Sequence, residues 1–192
     1  MGKGRLEAFS DGMIAIIITI MVLELKVPHG TGFELLSPLV PVLLSYVLSF
    51  IYVAIYWNNH HHMISTVERV SGRILWANLH LLFWLSLIPF ATGWVGENTA
   101  ATAPVAVYGG VLLMAAISYS ILQRTIIDSQ GEGSVLKKAV GRDWKGRASP
   151  VLYASALLVS FKAPALAMAI YVLVALLWFI PDRRIERIQS PD

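Results

Sequence analysis

Residues 5–28 read RLEAFSDGMIAIIITIMVLELKVP, a hydrophobic run that carries acidic residues inside and at its rim. Asp11 lies one to two turns into this run, and a carboxylate placed toward the centre of a bilayer costs about 2.5–3.5 kcal/mol. A partner must offset that cost. From Asp11 onward, Gly12, Ala15 and Thr19 recur at helical spacing and form a narrow strip of small residues. Ile16, Ile20, Leu23 and Val27 form a bulkier strip beside it. Small strips let helices approach closely in lipid. The Ile/Leu strip fits lipid, a neighbouring helix or the axis of a pore, and periodicity does not choose among the three.

The rest of the 192-residue chain resembles this run in composition. It is 56% hydrophobic and 14% charged, against roughly 45–50% and 25% in soluble domains. An all-α, polytopic membrane protein is expected. With no Cys there is neither a disulfide framework nor a thiolate metal site. The first run is too long, too acidic at its front and too poor in small residues at its end for a cleaved signal peptide, so it is expected to stay in the mature protein. A net charge of +3 is read as membrane orientation, with no nucleic-acid partner.

Beyond the first run, a search for windows free of Asp, Glu, Lys and Arg gives five further candidates, so six transmembrane helices are predicted, over about 5–27, 36–60, 73–95, 104–126, 147–162 and 164–181. Pro38, Pro41 and Pro104 fall in opening turns, where proline is tolerated. The last two runs are short. They read as a helical hairpin interrupted at Lys162 and Pro164, with a re-entrant element plus one span as the alternative. Six spans place Lys3, Arg5, Arg69, Arg73, Arg124, Lys137, Lys138, Arg142, Lys145, Arg147, Arg183, Arg184 and Arg187 on one side, and only Lys26 and Lys162 on the other. Both termini are then cytoplasmic by the positive-inside rule. The chain reads as a single unit, 1–192, without a soluble domain. Its one sizeable polar linker, 128–147, is read first as a solvated connector drawn to anionic lipid headgroups by its basic residues, with a short amphipathic turn at Val135, Leu136, Ala139 and Val140 and Trp144 as an interfacial anchor for the alternative.

No enzyme signature is present: the chain lacks GxSxG and HExxH motifs, and no catalytic or metal site is expected. His60, His61 and His62 are successive helical positions about 100° apart, so they do not converge on one ion. One of them is placed to meet a carboxylate such as Asp11. Asn78 and His80 are polar groups of the third helix, both expected to face the bundle for want of partners in lipid. Pro89 is expected to kink that helix. Neither a TVGYG-like filter nor an arginine-rich voltage sensor occurs.

Arg5-x-x-x-Phe9-Ser10-Asp11-Gly12, followed by an apolar run ending Leu23-Glu24-Leu25-Lys26-Val27-Pro28, resembles the start of the transmembrane protein 175 family, the lysosomal potassium channels and their prokaryotic relatives. Tyr56-Trp57-Asn58-Asn59-His60-His61, Asn78-Leu79, Pro89-Phe90 and Trp178-Phe179-Ile180-Pro181 agree with it, so the likeness spans the chain. The resemblance implies a six-helix unit without a re-entrant filter, whose first helices line an ion path. A chain with one such motif is similar to the prokaryotic type, which assembles as a homotetramer in the bacterial inner (plasma) membrane and passes K+ with no cofactor, protons being a further permeant ion. By position, the family's hydrophobic constriction falls on Ile16, with Ile20 and Leu23 one and two turns outward, and its selectivity hydroxyl on Thr19. Ala15 offers no second hydroxyl. Arg5, Phe9, Ser10, Asp11 and Gly12, with Trp57, His60 and His61, would form a motif and assembly network away from the ion. A proton-coupled secondary transporter and a non-conducting structural membrane protein are the rival readings.

Overall fold

The computed structural model describes residues 2–141 and 143–179. Arg142 and the expected cytoplasmic cluster Arg183, Arg184 and Arg187, together with Ile180 and Pro181, lie outside the described residues. Among those described, all regular structure is helical: α1 (Lys3–Leu23), α2 (Val40–Ser65), α3 (Gly72–Ser86), α4 (Ile88–Glu97), α5 (Thr102–Gln130), α6 (Val135–Val140), α7 (Trp144–Ser160) and α8 (Pro164–Phe179). A 3-10 segment, Phe33–Leu39, leads into α2.

Four stretches are long and apolar enough to cross a membrane, namely Lys3–Leu23, Phe33–Ser65, Gly72–Glu97 and Thr102–Gly133. The third contains both α3 and α4. Leu87 closes one helix and opens the next, with Pro89 in the first turn of α4. Proline lacks the amide that would continue the ladder, so the kink expected there is a break between two helices. α8 is a shorter apolar helix. α7 and α8 pack on each other across the turn at 161–163.

Local chemistry sets the boundaries. Ser71 caps α3 by accepting from the Ile74 amide at 3.3 Å. Asp143 caps α7 through Gly146 N at 3.0 Å. Gly141, at φ 53°, takes the left-handed conformation that ends α6. Two helices outrun their expected ends: α2 continues through the histidine triplet to Ser65, and α5 to Gln130. Polar residues there carry no breaker, so the helices end at the next turn signal rather than at the edge of the apolar window.

α1 packs on α2, α3 and α4, while α5 lies against α3, α4, α7 and α8. The interface between α5 and α8 is close: a Cβ added at Gly109 would meet the Tyr171 hydroxyl at 1.8 Å. The two ends of the bundle differ. At one, Lys3 Nζ donates to Ser65 O, Gln130 Nε2 to Thr66 O at 2.6 Å and Trp178 Nε1 to Ser149 Oγ at 2.7 Å. At the other, Lys26 pairs with Glu97 at 2.5 Å. The hydrogen bond and charge of Glu97 hold the Lys26 ammonium above its ordinary range, although a pair this exposed adds little stability.

Candidate functional site

α1 has a packed face and an open one. Leu6, Ser10, Ile14, Ile17 and Met21 are buried, a stripe that follows the helical repeat and coincides with neither sequence strip. Both strips are therefore turned away from the protomer's own core. Ile16 is 54% exposed, Ile20 43% and Leu23 79%. Gly12, Ala15 and Thr19 are exposed beside them. Thr19 Oγ1 donates to Ile16 O at 2.9 Å, which uses its proton and leaves its oxygen lone pairs facing outward. Ile16 and Ile20 also border a groove between α1 and α4, with Phe90 and Trp94 on its far wall and Glu24 and Glu97 at one end.

The motif end of α1 is tied down by a directed relay. Ser10 Oγ donates to Leu6 O at 2.9 Å, so it accepts from Asn78 Nδ2, also at 2.9 Å. That fixes the Asn78 amide with its oxygen toward His60, whose Nε2–H donates to it at 2.7 Å. α1, α3 and α2 are joined in turn. All three side chains are at most 1% exposed, and buried polar groups in lipid require such partners.

Asp11 belongs to a second contact. It accepts from Trp57 Nε1 at 3.0 Å on the half-open side of α1 and α2. The carboxylate thus meets the exposed indole of Trp57 rather than a histidine, while His60 is buried and committed to Asn78. His61 lies outward, its ring 6.2 Å from that of Trp57. Arg5 is exposed and forms no ion pair with Asp11 within the protomer. Phe9 is exposed as well. Asn78 is the residue the motif reading leaves out, although a lone Asn in an apolar helix is itself the signal of a buried polar junction. His80 does not share that face. Two positions along a helix are about 200° apart, and His80 is half-buried, accepting from Trp84 Nε1 at 3.0 Å within α3.

The relay residues Ser10, His60 and Asn78 fall within residues 5–89, the part matched by the family model described as endosomal/lysosomal potassium channel TMEM175. A potassium channel of Chryseobacterium sp. (strain P1-3) is 57% identical over 187 residues, 97% of this chain and 97% of its own length. The chain belongs to the TMEM175 family. That family consists of ion channels, not enzymes. A crystal structure titled as a lysosomal potassium-selective channel TMEM175 homolog from Chamaesiphon minutus superposes with a TM-score of 0.79 at 29% identity, covering 94% of this chain and 97% of that one. The Gallus gallus endosomal/lysosomal proton channel TMEM175 is 31% identical over 103 residues, 47% of this chain and 21% of its own length. The polar relay and the open face of α1 are thus features of a TMEM175 chain, and both lie inside the matched region.

Proposed function

We propose that this protein is a potassium-permeable cation channel of the bacterial inner membrane, a single six-span unit, 1–192, with both termini cytoplasmic, that assembles as a homotetramer around the open faces of four α1 helices. Ile16 forms the constriction, with Ile20 and Leu23 one and two turns outward, and Thr19 contributes a hydroxyl that favours potassium. The observation that carries this reading is the uncovered face of α1 on a helix whose opposite face is fully packed. An exposed apolar face ordinarily meets lipid, and Leu166, Leu173 and Leu176 of α8 suit that role. α1 differs in kind. Its open side carries Gly12 and Thr19 among the apolar residues, small and hydroxyl groups suited to contact between helices, and is bounded by the carboxylates Asp11 and Glu24, which lipid disfavours.

Isoleucines meeting at an axis close a narrow path by dewetting, since a dehydrated cation finds no ligand there. Thr19 offers its oxygen one turn away, while Ala15 offers none, so discrimination is modest and protons are a further permeant ion. Ser10 and His60 join the helices through Asn78, and Asp11 through Trp57, and none of them touches the ion; Arg5 and His61 are exposed at the same end and are assigned to assembly. The contacts at the two ends of the bundle support the orientation: Lys3 donates to Ser65 at one end, a few residues before Arg69 and Arg73 in the chain, and Lys26 pairs with Glu97 at the other. α1 is unbroken from Lys3 to Leu23, unlike the interrupted helices around which carriers build midplane sites.

Purified protein in planar bilayers, with potassium on one side and sodium on the other, tests the reading. Discrete currents that reverse toward the potassium equilibrium are expected. A reversal at zero, or silence from intact protein, would favour the carrier or structural alternatives.

A further inference from the structure

The linker between α5 and α7 is not a loose connector. α6 sits on α5 with Leu136 and Ala139 buried, and Ser134 caps it at Lys137 N, 3.1 Å, while donating to Gln130 at 2.6 Å. This placement makes one wall of a groove of about 520 Å3 between α5, α6 and the start of α7. Three cations from three elements line it: Arg124, Lys137 and Arg147. All are exposed, and among the described residues none forms an ion pair. The one carboxylate present, Asp143, is committed through Oδ1 to the amide of Gly146. Positive charge therefore predominates without a fixed counter-ion.

The groove also has a direction. Ile121 and Ile117 precede Arg124 by three and seven residues, about 4.5 and 10 Å along the α5 axis at the usual rise, and Pro150 faces them from α7. Cations at the rim and an apolar trough running into the bundle match the polarity of a phospholipid. A free phosphate would use only the rim. The size lies within the range of small-molecule sites, and basic pockets between helices on the cytoplasmic side suit anionic headgroups.

We infer that this groove holds one anionic phospholipid, its phosphate at Arg124, Lys137 and Arg147 and an acyl chain along Ile121 and Ile117. The inference rests on the membrane-spanning reading but not on ion conduction, so its failure would leave the channel reading untouched.

Native mass spectrometry of the full chain in detergent, titrated with phosphatidylglycerol or phosphatidylcholine, provides the test. The wild type should retain phosphatidylglycerol about tenfold more tightly, and Arg124→Gln/Lys137→Gln/Arg147→Gln should lose that preference. Arg69→Gln/Arg73→Gln/Lys138→Gln, which removes equal charge outside the groove, should keep it. Lys137→Gln alone, an exposed change that leaves the helix caps intact, should weaken retention about threefold. Equal loss in both triple variants would mean diffuse attraction and overturn the site. So would unchanged retention in the groove variants. Displacement of the lipid by chain-free glycerol phosphate would overturn the lipid as occupant.

Discussion

Ile16→Asn is expected to raise single-channel potassium conductance about tenfold, which corresponds to lowering the barrier by about 1.4 kcal/mol. Ile16 is more than half exposed and its side chain takes no part in the protomer's core, so the substitution should leave the folded bundle unchanged. Its effect falls on hydration. In the proposed tetramer, four amides at this level would supply carbonyl oxygens and hold water where isoleucine sheds it, so that the cation no longer crosses a dry segment. Discrimination between potassium and sodium should fall as conductance rises, because hydrated ions pass the Thr19 level with less need of its oxygen. Unitary conductance and reversal potential in bilayers read both effects. Unchanged conductance would move the gate away from Ile16.

The largest expected loss of stability comes from Asn78→Leu. This near-isosteric change leaves the His60 Nε2–H without an acceptor in a fully buried position, and Ser10 without its donor. A buried group stripped of its partner costs about 1–3 kcal/mol, whereas single interhelical hydrogen bonds in membranes average about 0.6 kcal/mol, because the unfolded chain in lipid also finds partners. Asn78 joins three helices through two such bonds, so about 2 kcal/mol is expected, a fall in Tm of roughly 4–8 °C for a chain of this length. Asp11→Asn should cost much less. Its amide oxygen still accepts from Trp57, and that contact is partly open to water. Thermal unfolding in detergent separates the two. Equal loss in both variants would show that the motif contact, not the relay, holds the helices together.

Much of the fold is legible in the charge-free windows, because length and apolarity alone select helices in lipid. Among the described residues all regular structure is helical, four stretches are long and apolar enough to cross a membrane, and the interruption at Leu87 follows from Pro89. The amphipathic turn at 135–140 is α6, since Leu136 and Ala139 needed a surface to cover. Rotation of the helices is what the sequence leaves open. Which of the histidines points inward, and whether Asp11 meets Arg5, His60 or Trp57, depends on how α2 is turned against α1. Apolar surroundings on every side give no amphipathic signal for that turn. For the same reason the packed stripe of α1, Leu6 to Met21, lies on the face opposite the two strips legible by residue size. Asn78 and His80 are a different case: their two-residue spacing places them on opposite faces, which geometry alone decides.

If the open face of α1 meets permeating ions, as proposed, a thiol placed on it should control the current. The chain has no Cys, so one introduced thiol is the only reactive site. Currents should be recorded from Ile20→Cys, Leu23→Cys and Leu173→Cys before and after a cationic methanethiosulfonate reagent. Ile20 and Leu23 share the open face of α1, and Leu173 is an equally exposed residue of α8. Currents through the two α1 variants should fall steeply after modification while those of Leu173→Cys persist. Full labelling at Ile20→Cys and Leu23→Cys with undiminished current, or equal loss at Leu173→Cys, would contradict an ion path along α1.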